Sequence, residues 1–154
     1  IAAAALHKSH LYVRRAMRGS NGQLPPGGTH LAEAHGTLRR LRAVIAAALE
    51  LYEAAQLDEK VAGGLDYQTA ITMTKVDASD LAVETVLACY RVCGLAGYRN
   101  DGEVSIARHL RDILSAPIMI NNDRILASMG SALLMSGVPA ASRVEAGMWW
   151  ARSW

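Results

Sequence analysis

The sequence predicts an all-α fold: an antiparallel four-helix bundle with an extra short helix and a C-terminal tail. Three observations point there. No stretch alternates apolar and polar residues over a useful length, so no strand is expected. Apolar residues recur instead at helical spacing along segments long enough to be helices. Alanine is abundant, while the 154 residues include no Phe and only 4 Pro, a composition that favours helix. Such helices hide their apolar stripes most simply against one another. The bundle is assigned to residues 1–137 and the tail to residues 138–154.

Residues 1–18 read as the first helix, with Leu6, His10, Val13 and Met17 on one stripe. The stretch from Gly19 to Gly28 gathers glycines, prolines, Ser20 and Asn21, and reads as a loop. Thr29 is the expected cap of a second helix that runs to about Gln56, with Leu31, Leu38, Leu41, Ile45, Leu49 and Tyr52 as its apolar face. Gly63-Gly64 breaks the chain, and Asp66 is the expected cap of a third helix ending near Cys93. Its core positions are Ile71, Val76, Leu81, Val86 and Leu87. The chain from Arg91 to Gly102 reads as irregular. A fourth helix is expected from Glu103 or Ser105 to about Ala116, limited by Pro117. The last follows Asn121-Asn122-Asp123, buries Ile125, Leu126, Met129, Leu133 and Leu134, and stops at Gly137 and Pro139. Trp149, Trp150 and Trp154 crowd the tail, which suggests packing against a partner subunit or another domain.

Composition narrows the function. Apolar residues make up 51% and charged residues 19%, enough to build a core and too apolar for disorder. The net charge of +2 gives no argument for nucleic acid, and Arg39, Arg40 and Arg42 read as a solvated helix face. Cys89 and Cys93 share one helix face, where a disulfide would constrain little. Buried thiols in a reducing, cytoplasmic compartment are expected. No apolar stretch reads as a bilayer span or signal peptide. The chain opens on Ile1 rather than Met, which reads as a piece of a longer protein. His7 with His10, and His30 with His35, lack an Asp, Glu or Cys at ligand spacing, so no metal site is expected.

The most informative stretch is Arg91-Val92-Cys93-Gly94-Leu95-Ala96-Gly97-Tyr98, followed by Glu103 and by Arg111-Asp112. Upstream stand Tyr12 to Gly19, with Arg15 and Gly19 at a matching spacing, the segment from Thr29 to Arg42, and Lys75-Val76-Asp77-Ala78-Ser79. In this order they resemble the C-terminal domain of the acyl-CoA dehydrogenase flavoproteins. The resemblance implies an enzyme that oxidises an acyl thioester across its alpha and beta carbons with FAD as cofactor. The thioester would ride on coenzyme A or on a carrier protein. The stretch from Ser105 to Asp112, with Asn121 to Ile125, is most similar to the carrier-protein branch of secondary metabolism. A homo-oligomer, dimer or tetramer, is implied, with no nucleic acid and no membrane. A full member also has an N-terminal helical domain and a middle β domain.

The resemblance also assigns residues. Arg15 would reach the flavin pyrophosphate, since a guanidinium offers forked donors. Gly94 lies in the glycine turn that contacts a dinucleotide held by a neighbouring subunit. Leu95 stands where a second glycine is usual, and Arg91 where glutamine is usual. Asn122 and Arg124 occupy flavin-contact positions. Arg108, Arg111 and Asp112 read as structural ion pairing. The catalytic residue stays unassigned: the usual catalytic Glu position is Ile120, and in other members the Glu lies on the helix before the arginine, upstream of Ile1. A flavin-dependent monooxygenase of the same fold, which takes no alpha proton, is the alternative. A catalytically degenerate assembly domain is the third reading.

Overall fold

The computed structural model describes residues 1–135. Among them the regular elements are all helices: α1 (Ala2–Gly19), α2 (His30–Leu57), α3 (Glu59–Ala62), α4 (Leu65–Tyr98), α5 (Ala107–Ile113), α6 (Ala116–Met119) and α7 (Asn122–Met135). The expected all-α bundle is therefore the fold. The stop at Gly137 and Pro139, the tail and its three tryptophans lie outside the described residues.

α4 is the axis. It packs against α1, α2, α5 and α7. Arg40 Nη2 donates to Glu84 at 3.0 Å while Arg91 meets Glu33 at 3.6 Å, so α2 and α4 run antiparallel. The core joins Ala5 and Leu6 of α1, Ala34, Leu38 and Leu41 of α2, and Ala82, Val86, Cys89 and Cys93 of α4. Ile106 and Ile113 close it from the α5 side. Many of these side chains are small, which lets the backbones approach closely. Ser9 is fully buried, and its hydroxyl lies 3.1 Å from the Ala5 carbonyl and 3.3 Å from that of Cys89. Thr37 and Thr85, also fully buried, donate to the carbonyls of Glu33 and Leu81 one turn back. A buried hydroxyl satisfied in this way costs little. Cys89 and Cys93 are free and buried, as expected, and burial pushes the Cys89 thiol up to about 11.

Several boundaries differ from the sequence reading. Thr29 precedes α2 but has helical angles (φ −62, ψ −33) and makes no capping bond. A cap needs an extended backbone to aim its oxygen at the first amides. The chain has already begun to turn, with the amides of Gly28 and His30 bonded to the carbonyls of Pro25 and Gly27. Asp66 lies inside the first turn of α4, and the extended Gly64 (ψ 142) precedes the helix. An acid there still favours the helix dipole. The helix reaches Tyr98 rather than Cys93, because only Gly94 leaves helical geometry. α5 starts at Ala107, later than expected, and Pro117 opens α6 instead of only ending α5. α3 has no counterpart in the sequence reading; Asp58 Oδ1 caps it by accepting from Lys60 N at 2.9 Å.

The predicted apolar faces are buried only in part. Leu38 and Leu41 are in the core, whereas Ile45, Leu49 and Tyr52 are exposed, on the half of α2 that lies beyond the end of the shorter α1. Leu87, Leu126, Leu133 and Leu134 are exposed as well. The expectation that no apolar stretch could span a bilayer needs correcting: α4, 34 residues long, is long and apolar enough by length and composition. Its position among four other helices accounts for that character.

Ile106 is fully buried and sits against Gly97. Ile106→Ala should therefore lower stability by about 2–5 kcal/mol in urea denaturation. Ile45→Ala, on the exposed half of α2, should cost less than about 0.5 kcal/mol in the same measurement.

Candidate functional site

The corner at the end of α4 begins with Gly94. Its φ of +51 and ψ of −135 break the helix, a conformation that side chains rarely adopt. No atom lies within 4 Å of where a Gly94 Cβ would stand, so the need for glycine there is conformational. Beyond it Leu95 is 84% and Tyr98 66% exposed. Gly97 faces inward, where a Cβ would meet that of Cys93 at 2.7 Å. Its carbonyl accepts from Ile106 N at 2.9 Å, tying the corner to the segment before α5. The corner thus has one side, Gly94, Leu95 and Tyr98, at the surface and the other, Gly97, against its own bundle. A cavity of about 630 Å³ beside it is lined by Tyr90, Tyr98, Arg99, Leu110, Arg111 and Leu114.

Two of the anticipated arginines are near this end of α4, each paired with a carboxylate. Arg91 meets Glu33 at 3.6 Å, and Glu33 also takes His30 Nδ1 at 2.8 Å. Arg15, in the last turns of α1, donates to Glu103 at 2.8 Å. All four guanidinium and carboxylate groups of these two pairs face solvent and are free to exchange partners, since such exposed pairs contribute about 0–1 kcal/mol.

Asn122 and Arg124 are elsewhere. Asn122 is buried at the start of α7. Its amide nitrogen donates to Ser79 Oγ at 3.0 Å and Asp80 Oδ1 at 2.9 Å, and its oxygen accepts from Lys75 Nζ at 2.5 Å. Both amide hydrogens are thus spent inside the bundle, and none is left for a ligand in this arrangement. Lys75 Nζ also donates to the Ile120 carbonyl. Asn121 caps α7, accepting from Asp123 N at 2.9 Å. Arg124 is exposed and borders a groove of about 400 Å³ with Ile118, Met119, Ile120, Asn121 and Ile125. Residues 75 and 94 are separated by roughly 28 Å of α4 at about 1.5 Å per residue. The six anticipated site residues therefore form two groups: Arg15, Arg91, Gly94 and Leu95 at one end, Asn122 and Arg124 at the other.

The histidines that meet are not those close in sequence. His10 and His35 meet across α1 and α2, their Nε2 atoms 2.5 Å apart, while His30 turns to Glu33. Only tertiary packing creates that pair, so no local spacing could reveal it. Burial, then the charges of His35, Arg14 and His7, pushes His10 down. Among the described residues no group of three or more His, Cys, Asp or Glu could hold a metal. Arg111 and Arg108 both bond Asp112, and the Arg111 hydrogen bond foremost holds that carboxyl below its usual range.

His109 Nδ1 is buried without a hydrogen-bond partner, and burial pushes this residue down too. Both His10 and His109 titrate below the ordinary 6.5. Beneath that value the unfolded chain binds more protons than the folded one, so stability should fall as pH drops from about 6.5 toward the folded values. Urea midpoints at about pH 7.5 and about pH 5.5 should show this loss, and the variant His10→Gln/His109→Gln should flatten it. A wild-type midpoint that rises on acidification would reverse the sign.

A model of the family described as acyl-CoA dehydrogenase, C-terminal domain, matches residues 1–134. No curated protein and no solved structure matches the chain. The match takes in every described helix of the bundle, α7 to within one residue of its end. This chain belongs to the acyl-CoA dehydrogenase family, of which it carries the C-terminal domain.

Proposed function

We propose that the chain serves an FAD-dependent oxidation of an acyl thioester, and that its Gly94 corner lies against a dinucleotide held by a neighbouring copy. The observation that carries this reading is the exposure of the corner. Gly94 breaks α4 at the surface, leaving Leu95 and Tyr98 exposed with Arg91 one turn before them. An exposed glycine turn lets backbone amides approach phosphate without an intervening side chain.

The residues fit a dinucleotide at this end. Arg91 and Arg15 would hold its phosphates, exchanging Glu33 and Glu103 for phosphate oxygens. Leu95 narrows the approach and gives the base or ribose an apolar surface. At the other end Arg124 alone is free to meet a cofactor or the thioester, because Asn122 is engaged inside the bundle. When bound, FAD supplies the acceptor for the two electrons taken from the thioester. The thioester would come on coenzyme A or a carrier protein, and the assembly would be a homo-oligomer.

A second reading rests on Ile120. It is 64% exposed beside the Arg124 groove, at the place where many family members carry the Glu that takes the alpha proton. Isoleucine takes none. A flavin-dependent monooxygenase needs no such base. The two readings separate on purified full-length protein, which should be yellow under both. Anaerobic bleaching by an acyl thioester supports dehydrogenation; oxygen uptake that requires supplied reduced flavin supports the monooxygenase. Colourless protein that takes up no FAD removes both.

Arg91→Ala in the full-length protein should weaken FAD binding by about tenfold, ~1.4 kcal/mol. Arg91→Gln, which restores the usual family residue, should fall between Ala and wild type. Titration of flavin fluorescence reads both.

A further inference from the structure

We propose that Gly27 is a positioning residue for the dinucleotide corner: the residue 19–29 loop rests on the backbone of α4 at Arg91 and Val92, and only a residue without a side chain permits that seat. The proposal depends on the flavin reading above and adds to it a residue that the family resemblance does not assign.

The geometry is direct. A Cβ on Gly27 would stand 2.5 Å from the Arg91 carbonyl oxygen, 2.7 Å from that of Val92 and 3.1 Å from Val92 Cα. Side-chain carbons essentially never come within 3.0 Å of such atoms. The obstacle is helix backbone, which cannot swing aside. Gly28 differs, because the atoms nearest a Cβ there belong to the flexible Leu24 side chain.

The loop itself is braced. Gly28 N donates to the Pro25 carbonyl at 2.8 Å, His30 N to that of Gly27 at 3.1 Å, and Gly22 N to that of Met17 at 2.9 Å. On the far side of the corner, Gly97 makes the second close approach, against Cys93, and its carbonyl holds Ile106 N. Between these two contacts Gly94 has open space around it. The corner is therefore held at both flanks and open in the middle, the arrangement needed to present backbone amides at a fixed place. Adding a methyl group at Gly27 must displace either the loop or the last regular turn of α4. Losing one hydrogen bond to a charged phosphate oxygen weakens binding by about tenfold or more.

The test uses full-length protein. Gly27→Ala should raise the FAD dissociation constant by about tenfold or more, while the visible spectrum of flavin that does bind stays as in wild type, since the ring end is not disturbed. Gly36→Ala is the control. It lies on an exposed face of α2 with no atom within 4 Å of its Cβ position, and FAD affinity should not change. Pro25→Ala/Pro26→Ala adds no atom but loosens the seat. It should weaken FAD several-fold and speed amide exchange at residues 94–98 while the protein still folds, its melting temperature lower by only a few degrees, so the proposal stays testable if Gly27→Ala does not fold. Wild-type protein that binds no FAD sinks the flavin reading and this proposal together. Wild-type protein that binds FAD, with unchanged affinity in Gly27→Ala or, where that variant does not fold, in the proline variant, overturns this proposal alone.

Discussion

The bundle depends on close approach between α4 and the two helices that flank it. Ala82, Cys89 and Cys93 of α4 meet Ala5 and Leu6 of α1 and Ala34 and Leu38 of α2. Each small side chain buries little area, about 0.8 kcal/mol per buried CH₂, so no single one carries the fold. Stability comes instead from many dispersion contacts, which near neighbours provide and a wider gap would forfeit. The hydroxyl of Ser9 marks how near the helices are, since it reaches the Cys89 carbonyl of the opposite helix. Polar groups inside this seam stay cheap because Thr37 and Thr85 bond their own helices.

Because α4 is one continuous rod up to Gly94, it relates the two halves of the candidate site rigidly. Lys75, Ser79 and Asp80 hold α7 at one end through Asn122. Arg91 and the Gly94 corner stand at the other. Nothing flexible intervenes before the glycine. The arginines at the corner are held by carboxylates on neighbouring segments, Arg15 by Glu103 and Arg91 by Glu33. Partly exposed pairs of this kind keep a guanidinium aimed without binding it tightly. A phosphate with two oxygens in the plane of the fork competes well for such a group.

The helices were legible where period and breakers agree. Residues 1–18, 30–56 and 66–93 were read within a few positions of α1, α2 and α4, because glycine and proline punctuate the chain between them. The boundaries failed where one residue does two things. Gly94 was read as the start of a loop, yet it reverses φ once and lets the helix resume. Pro117 was read as a stop, yet it opens α6. That Arg91, Gly94 and Leu95 lie together was legible along the chain, since they are neighbours in sequence. The place of Asn122 was not. Its burial is decided by Lys75, Ser79 and Asp80, more than 40 residues earlier, and no local pattern records that. Gly27 looked like one more loop glycine, because its constraint comes from the backbone of α4.

Ile120 shows how position and chemistry can separate. Its backbone is held, with its carbonyl accepting from Lys75 and the following residues fixed by the Asn121 cap and the buried Asn122. Its side chain is exposed at the edge of the groove that Arg124 shares. The chain therefore fixes residue 120 in place while giving it nothing with which to move a proton. None of the six residues lining this groove carries a carboxylate. A thioester lying there would find apolar contact and one guanidinium, which suit binding an acyl chain beside an anionic carrier. Proton removal requires a base whose pKa is near the working pH and whose oxygen reaches the alpha carbon. If this groove is where a thioester is oxidised, that oxygen is supplied by a group other than those that line it.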